Sequence, residues 1–126
     1  MIKVLLISVD QTIKLFIQDN YKPFQFITFN STKDPLDIMS QVCITNPSVL
    51  IFDDDFTSPN SEHLLNSIKK VNPKLPIIFL TSNSSLEFGR IINSIGVTFY
   101  LIKPLSNIDF YEFLKSSIKE KSDVIF

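Results

Sequence analysis

One cysteine, Cys43, and one histidine, His63, are all that 126 residues carry of the usual soft metal ligands. A lone cysteine excludes an internal disulfide and any cysteine-based metal cluster. His63 has no cysteine pair or second histidine near it, and Ser61-Glu62-His63 contains no nucleophile-elbow motif for a hydrolase triad to use. A solvated helix position is the expectation for it. The chain also lacks an excess of either charge: 12 basic against 13 acidic residues give a net of −1, spread along its length. With no basic stripe, direct nucleic-acid binding is not expected. No apolar run approaches the roughly 20 residues of a membrane helix. The opening Met1-Ile2-Lys3-Val4-Leu5 enters a strand-like run without a signal-peptide layout. The economical expectation is a cytoplasmic domain with no membrane contact.

What is present is apolar material in regular alternation. An apolar share of 44% argues against disorder, and the length suits one self-supporting domain. Residues 2–7, 24–29, 48–53, 76–81 and 97–102 read as strands. Helical periods fill 11–20, 34–45, 61–71, 85–94 and 106–120, with a polar loop at 54–60. Asp34 ahead of Pro35 is a helix start, and Ser106 or Asn107 starts the last helix. The apolar faces are Leu64, Leu65 and Ile68 in the third helix, and Leu86, Phe88, Ile91, Ile92 and Ile95 in the fourth. In the last helix they are Ile108, Phe110, Phe113, Leu114 and Ile118. Cys43, among Ile38, Met39, Val42 and Ile44, is expected in the core. Five strands alternating with five helices predict an α/β domain of (βα)5 type, a parallel sheet covered on both faces. The domain is expected over 1–121, with 122–126 a tail or the start of a linker.

Three apolar runs end on a polar residue. Val49-Leu50-Ile51-Phe52 ends on Asp53, Leu75-Pro76-Ile77-Ile78-Phe79-Leu80 on Thr81, and Val97-Thr98-Phe99-Tyr100-Leu101-Ile102 on Lys103. Open α/β sheets place their chemistry just beyond the carboxyl ends of the strands. A carboxylate, a hydroxyl and an ammonium at one edge of one sheet outline a site for handling a phosphoryl group.

With Asp53, Thr81 and Lys103-Pro104 in this order, the chain resembles the receiver domain of two-component response regulators over roughly residues 2–120. The resemblance implies a doubly wound, flavodoxin-like five-stranded parallel sheet of order 2-1-3-4-5. It implies Asp53 as phosphoacceptor, Thr81 and Lys103 as its phosphoryl-binding partners, and Thr81 with Tyr100 as a switch pair. A cis peptide is implied at Lys103-Pro104. The partners implied are a histidine kinase or phosphotransfer protein upstream, and a downstream protein or fused output domain on the 85–120 face. No stand-alone catalysis is implied beyond phosphorylation and dephosphorylation of Asp53 itself.

The first strand departs from that family. Its two adjacent acids, which hold Mg2+ together with the phosphoacceptor, fall on Ser8 and Val9 here. Serine offers only a neutral oxygen and valine none. The nearest acid, Asp10, lies roughly 6–7 Å further along an extended chain, whereas magnesium takes oxygens at about 2.0–2.1 Å. Capping the helix that begins at Gln11 is the plainer role for Asp10. After Asp53 the run Asp54-Asp55-Phe56-Thr57-Ser58-Pro59 brings its proline two residues late, with no glycine after it. Asp55 is either a replacement metal ligand or part of a solvated acidic loop. Two functions therefore stay open: a phosphoacceptor receiver with a degenerate metal site composed of Asp53, Asp10 and Asp55, and a phosphorylation-independent pseudo-receiver acting by protein–protein contact. A flavodoxin-like mononucleotide binder is disfavoured, because Ser8-Val9-Asp10-Gln11-Thr12 has no glycine and places an acid where a phosphate would bind.

Overall fold

The central strands alternate not between core and water but between two cores. In the computed structural model, which describes residues 2–20 and 25–123, β1 (Lys3–Ile7), β3 (Val49–Asp53) and β4 (Ile77–Thr81) lie side by side. Leu5, Ile7, Leu50, Phe52, Ile77 and Phe79 face one layer of helices; Val4, Leu6, Val49, Ile51, Ile78 and Leu80 face the other. Period-two side-chain alternation with both faces covered gives the unbroken apolar runs of the sequence. Phe52 and Phe79 stack at 5.8 Å between ring centres, both fully buried. Truncating such a ring to alanine costs about 3–5 kcal/mol.

The first layer holds α2 (Pro35–Thr45), α4 (Ser61–Val71) and α5 (Leu86–Ile95), through Ile38, Val42, Leu64, Leu65, Ile68 and Ile92. The second holds α1 (Gln11–Asn20) and α6 (Asn107–Asp123), through Ile13, Ile17, Phe110, Leu114 and Ile118. With the outer strands β2 (Gln25–Phe29) and β5 (Phe99–Ile102), the sheet is parallel throughout and ordered β2-β1-β3-β4-β5. No helix among the described residues is long and apolar enough to cross a membrane.

Local signals fix the helix ends. The Asp34 carboxylate accepts from the Leu36 N–H at 2.8 Å, with Pro35 in the first turn. The Ser106 hydroxyl accepts from the Asp109 N–H at 3.3 Å, and the Ser85 hydroxyl from that of Phe88 at 3.3 Å. Gly96 ends α5 at φ 107°, a conformation that a side chain would strain.

Several expectations need correction. Residues 54–60 are not all loop: Asp54–Thr57 form a short helix, α3, capped by the Asp53 carboxylate on the Asp55 N–H. Cys43 is exposed, because α2 turns Ile38, Val42 and Thr45 inward and Cys43 falls one residue past that stripe. Ile108 and Leu86 are also exposed, each at the first turn of a helix whose buried stripe runs through other residues. The expected strand start at residue 24 and the terminal residues 124–126 lie outside the described residues.

Candidate functional site

Strand register sets the three strand-end residues at one edge of the sheet, with Lys103 on Asp53 and the Thr81 hydroxyl turned to Asp54. Asp53 pairs with Leu80 and Thr81 with Ile102, so the strand ends step forward across the sheet, and the Lys103 N–H donates to the Thr81 carbonyl at 2.7 Å. The Lys103 side chain turns back over the edge. Its ammonium donates to both oxygens of Asp53, at 3.0 and 3.1 Å, and reaches Asp55 at 3.0 Å and Asp10 at 3.5 Å. Asp53 is 1% exposed. A carboxylate so far from water needs a partner charge and further donors, and it has them. The Ser8 hydroxyl donates to Oδ2 at 2.5 Å and the Asp55 N–H to Oδ1 at 3.1 Å.

Asp10 and Asp55 flank this pair. Asp10 Oδ1 accepts from the Thr12 N–H at 3.0 Å, the capping role its position suggests, while Oδ2 faces Lys103. Asp55 accepts from both the N–H and the hydroxyl of Ser82, at 3.2 and 2.6 Å. Burial pushes the Asp55 carboxyl up, but the Ser82 and Lys103 contacts outweigh it and hold the carboxyl below its ordinary value. The same balance acts on Lys103. Burial alone would lower it, yet hydrogen bonds and charge from Asp53 and Asp55 raise it.

Behind the pair lies a second cluster that sequence reasoning missed. Asp54 makes different contacts from Asp53, is 7% exposed, and among the described residues is in no ion pair. Its Oδ1 accepts from the Ser61 hydroxyl at 2.6 Å and its Oδ2 from the Thr81 hydroxyl at 2.7 Å. Ser61 shares a 2.6 Å hydrogen bond with Thr57, whose hydroxyl also lies 3.2 Å from the Asp53 carbonyl. The signal was available in the sequence: an acid stands at the position after Asp53, where an apolar residue is usual in the resemblance. Tyr100 stacks on Phe79 at 5.5 Å, its ring edge against Gly89. The phenol oxygen is buried without a hydrogen-bond partner, and burial together with the charge of Asp54 pushes the phenol up.

The magnesium implied by the resemblance does not fit these residues. The Ser8 oxygen gives its proton to Asp53 and accepts the Asp10 N–H at 2.9 Å, and Val9 is exposed and apolar. Both oxygens of Asp53 are engaged by Lys103. Among the described residues no three acidic, histidine or cysteine side chains are disposed to hold a metal ion. Asp10 and Asp55 share an ammonium with Asp53.

No protein-family model and no curated protein sequence matches the chain. Solved structures do. A response regulator receiver domain protein from Clostridium thermocellum superposes with a TM-score of 0.78 at 24% identity, covering 98% of this chain and 99% of its own. A CheY-like receiver domain protein from Methanospirillum hungatei JF-1 gives 0.79 at 19% identity, with 98% of each chain covered. The signal receiver domain of a DNA-binding response regulator from Colwellia psychrerythraea 34H gives 0.81 at 15% identity, over 94% of this chain and 99% of that one. Near-complete superposition in both directions, with the same strand order, gives this chain the fold of the response-regulator receiver domains.

Proposed function

We propose that the chain is a receiver-type signalling domain in which Asp53 accepts a phosphoryl group from a histidine kinase or a phosphotransfer protein. The observation carrying this reading is the Lys103 ammonium seated on both oxygens of a buried carboxylate at the sheet's carboxyl edge. A carboxylate oxygen attacks the phosphorus of a phosphohistidine; the new O–P bond forms as the N–P bond breaks. The electron pair leaves with the imidazole nitrogen, which takes a proton from solvent. Lys103 neutralises charge as the acyl phosphate forms, the work that positioned cations do in phosphoryl transfer. Hydrolysis by water restores Asp53.

Asp54 and Asp55 oppose the added negative charge, and among the described residues no metal ligand set relieves it, so transfer is slow and weakly dependent on magnesium. The α5–β5–α6 face, with Leu86, Ile102 and Ile108 exposed along it, is the surface offered to a downstream protein or output domain. A change of partner affinity there needs only a few kcal/mol of bias between two packings.

A second reading is a pseudo-receiver that never accepts a phosphoryl group. The observation favouring it is that Asp53 is already satisfied by Ser8, Lys103 and the Asp55 N–H, a closed ion pair. Intact mass spectrometry after incubation with acetyl phosphate, with and without magnesium and beside Asp53→Asn, separates the two. A phosphoryl-sized gain that is absent from Asp53→Asn and persists without magnesium is the expected result. No gain from acetyl phosphate or from phosphorylated histidine donors would leave the pseudo-receiver.

A further inference from the structure

Resting on the phosphoacceptor reading of Asp53, we infer that Asp54 is a positioning residue: it holds the Thr81 hydroxyl in the resting state, in competition with any phosphoryl group on Asp53. A threonine hydroxyl has one proton. Here it is donated to Asp54 Oδ2 at 2.7 Å, while the Thr81 oxygen accepts the Asn83 N–H at 2.9 Å. Its single donor is therefore used, and Asp53 receives no hydrogen bond from it. Thr81 is 0% exposed, so no water stands ready to replace either bond. Hydrogen bonds to a carboxylate are stronger than those between neutral groups. A phosphoryl oxygen on Asp53 gains the Thr81 proton only by taking it from an acceptor that is itself buried.

The hold extends further. The other oxygen of Asp54 ties Ser61 at the start of α4, so one carboxylate joins the ends of β3 and β4 to that helix. The unpartnered Tyr100 hydroxyl lies in the field of the same carboxylate. Release of Thr81 is thus a single event with consequences on both sides of the cluster.

The test is a cycle of four proteins: the wild type, Thr81→Val, Asp54→Leu and the double variant. Rates of phosphorylation by acetyl phosphate are read by intact mass. Thr81→Val is expected to slow the wild type by less than about threefold, because the hydroxyl is already committed. In the Asp54→Leu background, where no side-chain acceptor is left and the hydroxyl is freed, the same change is expected to slow the reaction about tenfold or more, a charge-assisted hydrogen bond's worth. Equal losses in the two backgrounds would overturn the inference. Ser61→Ala touches Asp54 but not Thr81, so in that background the Thr81→Val effect should match the wild type; a tenfold effect there would also overturn it.

Urea unfolding of the same four proteins reads the hold without any phosphoryl group. Thr81→Val is expected to lower the midpoint clearly in the wild type and only slightly in Asp54→Leu; additive losses overturn the inference. Should no protein gain mass, the phosphoacceptor reading fails, and the unfolding cycle alone decides whether Asp54 holds Thr81.

Discussion

Asp53 and Asp54 are neighbours in the chain, both more than nine-tenths buried, and they are solvated by opposite means. Asp53 is answered by a full positive charge, with Lys103 on both oxygens and Ser8 completing the shell. Asp54 is answered by hydroxyls alone, one from α4 and one from the end of β4. The difference follows from position. Asp53 closes β3 and faces the open edge of the sheet, where a long side chain from the β5 end can arrive. Asp54 begins α3 and turns toward the start of α4, where the Ser61 hydroxyl meets it. An ammonium at the edge is exchangeable for another cationic arrangement, whereas a ring of hydroxyls is a fixed, directional cage.

The comparison breaks most visibly at Lys103. Lys103→Met leaves Asp53 buried without its counter-charge, and removing one partner of a buried pair costs about 3–5 kcal/mol. Urea unfolding should show a loss near the lower end, since Lys103 keeps some contact with water. Pairing it with Asp53→Asn should restore most of the loss; an unrescued double variant would mean that the lysine acts through packing. Next in size, Ser61→Ala removes one of the two donors to Asp54 and is expected to cost about 2 kcal/mol in the same measurement. A cost near zero would show that water replaces the serine.

Smaller again is Asp55, whose side chain is 38% exposed. Asp55→Asn is expected to cost under about 1 kcal/mol at neutral pH, as exposed pairs do. Because folding holds the Asp55 carboxyl below its ordinary value, its contribution is present above the unfolded value of 3.8 and is lost as pH falls through the folded one. Thermal scans of the wild type and the variant should therefore converge in acid; a gap that persists there would assign the effect to something other than charge. Smallest of all, Asp54→Asn should bring the Tyr100 phenol part of the way down toward its ordinary value, read by ultraviolet titration. Burial remains in the variant, so the phenol should stay above that value.

Much of this was legible in the sequence, for reasons that can be named. The strands showed because the central three are covered on both faces and, after Lys3, carry no polar residue before their ends. Asp53 showed because it closes one of these runs, and Lys103 because it follows the mainly apolar run of β5. Asp34 and Ser106 were readable as helix starts from residue type and spacing alone. Asp54 was read only as added charge beside Asp53. Its meaning depends on Ser61 and Thr81, respectively 7 and 27 residues away, and no local pattern links them. Cys43 was misplaced because α2 is apolar on more than its buried stripe, so periodicity left its orientation loose. Ile108 and Leu86 went astray for the same reason.

The distances along the chain at this edge also govern how the molecule comes together. Ser8 and Asp53 are 45 residues apart, Asp53 and Lys103 50, and Asp10 and Lys103 93. A parallel sheet has no local hairpins to start from, and each of these closures costs chain entropy before any contact repays it. Until the β5 end arrives, Asp53 has no cation and is better left in water. Docking of the last strand and withdrawal of Asp53 from solvent are therefore coupled, and the cluster around Asp53 closes only when the β5 end is in place.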